Sequence, residues 1–211
     1  MTSLPNILTT SRIAIIPALV GAFWLPGSLA DWIPLTLFVA ASLTDWLDGY
    51  LARRYGLQSE LGRFLDPVAD KLLVAAAILL LVATDRIQGW SVLAALVILC
   101  REILVAGLRE FLAELKVRVP VTGLAKWKTA VQMTAIGFLL ANDSAPSWLN
   151  APVIGVTGLW LAALLTLYTG YDYLLAGLKH FAPPKSPRKP RSSRAAKERL
   201  PATAEPTGPV G

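Results

Sequence analysis

Long apolar runs dominate this chain and constrain its fold more tightly than any other feature. Six can be drawn, at about Ser11–Leu25, Trp32–Arg53, Ser59–Thr84, Trp90–Phe111, Lys126–Ala141 and Pro152–Leu178. A helix that crosses a bilayer core needs roughly 17–25 mostly apolar residues; the first and fifth runs are short by that measure. Charged residues make up only 16% of the 211 positions, where a soluble domain carries about 25%. The deficit points to lipid as the solvent. The sequence therefore predicts an all-α polytopic membrane protein with six transmembrane helices. Ser3–Thr10, a polar–apolar mix containing Pro5, is expected to form a short N-terminal interfacial helix ahead of the first span. Arg12 followed by Ile13–Leu25 resembles a signal peptide, but Pro17 interrupts it and no clear A-x-A site follows. It is read as an uncleaved span.

The net charge of +6 would suit nucleic acid as a partner, but its placement argues against that. Arg188, Lys189, Arg191, Arg194, Lys197 and Arg199 sit in a Pro- and Ser-rich stretch, and most other cations flank apolar runs. Residues 1–182 are thus expected as one membrane domain and 183–211 as a basic, disordered cytoplasmic tail. Cys100 and His180 stand alone, which excludes a disulfide framework and a Cys- or His-based metal cluster. Leu25–Asp31 and Asn142–Ala151 contain no Lys or Arg, and Thr84–Gly89 contains only Arg86. The opposite connections are rich in cations, so both termini and the long polar loops are expected to face the cytoplasm.

Four aspartates break the apolar pattern. Asp45 and Asp48 are three apart and share a helix face; Asp66 and Asp70 are four apart and share another. They lie on consecutive runs whose ends a short turn around Tyr55–Gln58 would join, so all four carboxylates are expected to converge near the cytoplasmic surface. An Asp deep in a membrane helix costs about 2.5–3.5 kcal/mol. Two carboxylates roughly 4 Å apart repel by about 4 kcal/mol at an effective dielectric near 20. Protonation relieves that strain, and so do divalent cations; an all-carboxylate set suits hard ions such as Mg²⁺ or Mn²⁺. Taken singly, Asp66 before Pro67 would read as a helix N-cap, and Arg53 and Arg54 as membrane anchors. Gly49 and Ala52 leave a strip without side chains along the helix, and Arg53 offers a fork to a phosphate oxygen.

The spacing D-x2-D-G-x2-A-R-x8-G-x3-D-x3-D is matched by Asp45, Asp48, Gly49, Ala52, Arg53, Gly62, Asp66 and Asp70. With it the chain resembles the CDP-alcohol phosphotransferase family. The resemblance implies six transmembrane helices, a homodimer and a divalent-metal site, probed most simply as Mg²⁺ or Mn²⁺ and holding two ions. It implies Asp45, Asp48 and Asp66 as chief metal ligands, with Asp70 both facing the metals and serving as general base. The donor, CDP-diacylglycerol, would lie against Gly49, Ala52 and Arg53, with Asn6 and Thr9 nearby and its acyl chains in the bilayer.

Pro5–Thr9 with Arg12, Arg101–Ile103 with Gly107–Glu110, and Ala125–Thr129 with Gln132 look like the bacterial branch of this family that makes phosphatidylglycerophosphate. That likeness implies sn-glycerol 3-phosphate as acceptor and the bacterial cytoplasmic membrane as location. Arg109, Arg118, Lys126 and Lys128 are the candidate contacts to the acceptor phosphate; membrane anchoring is the plainer reading of Lys116 and an equal one for Arg118. Arg101 is balanced between that role and an ion pair with Glu102. Other acceptors, phosphatidylglycerol or inositol phosphate, remain open from sequence. A divalent cation carrier would want polar positions spread through the bilayer depth, whereas these acids gather near one face.

Overall fold

The computed structural model describes residues 4–55, 60–115 and 123–181. Among them are six α-helices: α1 Leu4–Ala22, α2 Leu29–Tyr55, α3 Glu60–Ala83, α4 Ser91–Glu114, α5 Gly123–Ala141 and α6 Ala151–Phe181. Two 3-10 turns, Asn142–Ser144 and Ser147–Leu149, join α5 to α6. Arg118, the tail at 183–211 and the turn at 56–59 lie outside the described residues. The side chains of Asn6, Thr9, Asp48, Ala52 and Arg53 do too, although their backbones belong to α1 and α2.

The helical class holds, but six transmembrane helices do not. Among the described residues, two stretches are long and apolar enough to cross a membrane: Ser91–Glu114, of mean hydropathy 2.2, and Ser147–Tyr171, of mean hydropathy 1.7. Neither is a buried core helix, since Ile103 is 70% exposed and Leu164 62%. The remaining helices fall short because charge interrupts their apolar runs. Asp45, Asp48, Arg53 and Arg54 occupy the end of α2; Arg63, Asp66, Asp70 and Lys71 the start of α3; Lys126 and Lys128 the start of α5. In α1 the described side chains form an apolar stretch at Arg12–Ala22. No separate interfacial helix precedes it, because α1 is continuous from Leu4. Pro5 falls in its first turn, where a missing N–H leaves no helical bond unmade. Asp66 likewise does not stand at a helix start: α3 begins at Glu60 and runs through Pro67.

One end of the bundle is closed by a single arginine. α3 terminates with Asp85 at φ +58°, the Asp85 N–H donating to Val82 O and the Arg86 N–H to Leu81 O. This paired 5→2 and 6→1 pattern is a Schellman stop, and it turns Arg86 back toward the bundle. The guanidinium then pairs with Asp31 at 2.6 Å and donates to Leu140 O at 2.8 Å and Ala30 O at 3.2 Å. Ser144 Oγ donates to the other Asp31 oxygen at 2.5 Å. The start of α2 and the ends of α3 and α5 therefore meet here.

Between the two ends lies an apolar core that includes Leu19, Phe38, Leu73, Ile78, Leu81, Ile98, Ile136, Leu139 and Leu159. α5 and α6 pack closest. A methyl group on Gly155 would stand 2.6 Å from Leu139 Cγ, and one on Gly158 2.9 Å from Ala135 Cβ. Small residues here let two backbones approach, as helices packed in lipid require.

Candidate active site

The charged segments meet at the end away from Arg86. Helix alternation brings the end of α2, the start of α3, the second half of α4, the start of α5 and the last turns of α6 to one side. Asp45, on α2, pairs with Arg12 of α1 at 2.8 Å, and that arginine is almost fully buried. Asp66 and Asp70 stand one turn apart on α3. A buried cation on one helix and a half-buried carboxylate on the next fix α1 against α2 at the height of the aspartates. From sequence Arg12 stood out as the charged flank of an apolar run and as part of a motif; the apolar residues around it were the signal that it needed a partner.

A cavity of about 450 Å³ opens beside Asp70. Of the predicted site residues, Asp70, Arg109, Lys126 and Lys128 line it. Asp45, Gly49 and Asp66 do not. Lys71, Arg101, Glu102, Thr129 and Tyr173 complete its polar wall. The cavity thus gathers five cations against two carboxylates, a balance suited to an anionic guest. Arg109 and Lys126 are exposed, whereas Lys128 is buried.

The wall is cross-linked. Glu102 Oε1 accepts from Lys128 Nζ and, at 3.2 Å, from Arg101 Nη1. Arg101 Nη2 donates to Thr169 Oγ1 at 2.9 Å, and Thr169 in turn donates to Leu165 O at 2.9 Å. The Arg101–Glu102 ion pair expected from sequence is present, but it belongs to the cavity wall rather than to the interior of the bundle. Lys71 and Tyr173 gave no sequence signal, the first looking like an anchor and the second like one more aromatic in an apolar run. Gln132, buried, has no partner for its Oε1. It borders a cavity of about 50 Å³ that Asp70, Glu102 and Lys128 also touch.

Asp45, Asp70 and Lys128 lie outside the two apolar stretches. Burial raises the Asp45 carboxyl above its ordinary range; Arg12 opposes that and Asp66 adds to it. Burial likewise raises Asp70, with the Asp45 charge adding to it. Lys128 is pushed down by burial, against which Glu102 works. Asp45 therefore feels the charge of Asp66, and Asp70 that of Asp45. The donor set, all carboxylate oxygen, fits a hard divalent cation. The side chains as they stand do not form a shell: among the described residues, no three acidic, His or Cys side chains are gathered around one point. Asp45 is turned to Arg12 instead.

Comparison with known proteins agrees with this picture. The CDP-alcohol phosphatidyltransferase family model matches residues 2–168. A CDP-diacylglycerol–glycerol-3-phosphate 3-phosphatidyltransferase of Rickettsia felis is 45% identical over 179 residues, which cover 85% of this chain and 97% of that protein. Enzymes of the same name from Haemophilus influenzae and Cereibacter sphaeroides are 39% and 35% identical, over 82% and 84% of this chain and 91% and 96% of theirs. With a family match that spans most of its length and relatives this similar end to end, the chain belongs to the CDP-alcohol phosphatidyltransferase family.

Proposed function

We propose that the protein transfers the phosphatidyl group from CDP-diacylglycerol to sn-glycerol 3-phosphate, giving phosphatidylglycerophosphate and CMP. The observation that carries this reading is the shared cavity: Asp70, a proton acceptor, stands in one space with Arg109, Lys126 and Lys128. An acceptor whose phosphate rests on the cations presents its free hydroxyl toward the carboxylate. Similarity to relatives named for this same reaction supports the choice of substrates.

In this mechanism Asp70 takes the proton from the acceptor hydroxyl as that oxygen attacks the phosphorus bearing diacylglycerol. The bond to the CMP phosphate breaks as the new ester forms, so no covalent enzyme intermediate is needed. Arg109, Lys126 and Lys128 hold the acceptor phosphate, and Lys128, being buried, gives it the least hydrated contact. Gly49, Ala52 and Arg53 receive the cytidine and diphosphate, with Asn6 and Thr9 beside them. Asp45, Asp48, Asp66 and Asp70 would hold Mg²⁺ or Mn²⁺, two ions in this reading, which when bound neutralise charge on the diphosphate and on the leaving CMP. Binding would require Asp45 to exchange its contact with Arg12.

The proposed setting is the bacterial cytoplasmic membrane, the cation-rich end of the bundle facing the cytoplasm, in a homodimer. Purified protein incubated with CDP-diacylglycerol, Mg²⁺ and competing acceptors tests the chemistry. CMP release is expected with glycerol 3-phosphate. Release only with phosphatidylglycerol or inositol phosphate would replace the acceptor. Divalent flux across liposomes without lipid turnover would replace the enzyme altogether.

A further inference from the structure

We propose that Glu102 is a positioning residue for the acceptor, standing between Lys128 and Arg101 and setting both cations at the cavity wall to meet a phosphate. The proposal rests on the acceptor reading above and assigns a role to α4 and α6 residues which that reading leaves unused.

Three observations carry it. First, one Glu102 oxygen accepts from both Lys128 of α5 and Arg101 of α4. Side by side and largely buried, these two cations would repel and drift apart without a carboxylate between them. Second, the arrangement leaves donors for a guest. An ammonium has three N–H groups and Glu102 takes one, so Lys128 keeps others for an anion in the cavity it lines. Third, Arg101 is pinned from behind by α6. Thr169 accepts from its Nη2, and a methyl group on Gly170 would come within 3.1 Å of its Cγ and 3.3 Å of its Nε. The last helix thus supplies a notch and an anchor that hold the guanidinium at the wall.

Cations preset in this way bind a phosphate without the ordering cost that free lysine and arginine side chains carry. A different role is possible for a carboxylate in the same place: it could compete with the phosphate for Lys128. The two roles differ in sign. Removing a positioning residue weakens acceptor binding, whereas removing a competitor strengthens it.

The test is steady-state CMP release by the full-length protein with CDP-diacylglycerol, Mg²⁺ and glycerol 3-phosphate. Glu102→Gln keeps the shape and removes the charge. It is expected to raise the acceptor KM about tenfold, the loss of one charge-assisted contact, and to leave the donor KM unchanged. Thr169→Val is expected to raise the acceptor KM by less, and Thr169→Ser, which restores the hydroxyl, to return it to the wild-type value. In a Lys128→Ala background Glu102→Gln should add less than it does alone, because the part of its effect that passes through the lysine is already lost while the part that passes through Arg101 remains.

A fall in acceptor KM for Glu102→Gln, an equal rise for both substrates, or full additivity with Lys128→Ala would each overturn the assignment. So would Thr169→Ser behaving like Thr169→Val. Wild-type protein that releases no CMP with glycerol 3-phosphate sinks the acceptor reading itself. Wild-type turnover beside an unchanged KM in Glu102→Gln sinks only the role of Glu102.

Discussion

Asp70 and Lys128 reach the same cavity from different helices, so their contributions to turnover can be separated. Asp70→Asn keeps the side-chain shape and removes the base. Turnover is expected to vanish while CDP-diacylglycerol binding, measured by equilibrium titration, stays close to that of the unaltered protein. Near-normal turnover would remove Asp70 from the proton step. Lys128→Ala is expected to raise the acceptor KM well above any change in the donor KM, because the lysine lines only the Asp70 side of the bundle; an equal effect on both would mean that it does not read the acceptor phosphate. Sequence made Asp70, Arg109, Lys126 and Lys128 legible because carboxylates and cations at fixed spacing are costly in an apolar chain and so invite an explanation. Glu102 and Thr169 were harder to see. Glu102 beside Arg101 has an adequate local explanation as an ion pair, and only the fold shows that Lys128 joins it from 26 residues away. At the other end, Arg86 looked like a stray loop cation. In the structure it is a largely buried partner of Asp31 that also closes two helix ends. Arg86→Ala leaves that carboxylate uncompensated and is expected to destabilise the protein by about 3–5 kcal/mol, read as a lower unfolding temperature in detergent with no selective change in either KM.

The helices carry a second layer of information, in where small residues fall. Gly155 meets Leu139 so closely that even a methyl group must push the two helices apart, since one of its nearest atoms, at 3.0 Å, is backbone nitrogen. Gly107 on α4 has nothing within 4 Å of where its Cβ would be. Gly155→Ala is expected to cost about 1–3 kcal/mol as an overpacked contact, and Gly107→Ala to leave the unfolding temperature unchanged or slightly raised. Equal effects at both would mean that α5 and α6 do not pack as closely as described. Gly155 and Gly158 together give α6 a face of small residues that packs against Leu139 and Ala135 of α5. Helix ends were read less well. Ser3–Thr10, with Pro5, suggested a short interfacial helix separate from the first span, yet among the described residues α1 is unbroken from Leu4 to Ala22. Asp66–Pro67, taken singly, suggested a helix start, but α3 begins at Glu60, close to the start of the apolar run drawn at Ser59–Thr84.

At the scale of the molecule, polarity is distributed by end. Cations and acids occupy the side where α4 and α6 finish, while the side where they begin holds the buried Arg86–Asp31 pair and the short turns around Trp148. The sequence overcounted spans because it scored each apolar run by length, whereas the charges that build the site lie inside those runs and lower their hydropathy. The proposed orientation follows from this polarity and can be tested without reference to activity. In a Cys100→Ser background, a single cysteine in place of Trp148, which is 81% exposed, reports on one end. A single cysteine in place of Leu124, exposed at the start of α5, reports on the other. A membrane-impermeant maleimide applied to spheroplasts is expected to label the Trp148→Cys protein directly and the Leu124→Cys protein only after the membrane is opened. Labelling in the opposite order would place the cation-rich cavity outside the cell. A water-soluble nucleotide leaving group would then be released on the wrong side, and a phosphorylated acceptor drawn from the cytoplasm could not reach Lys128.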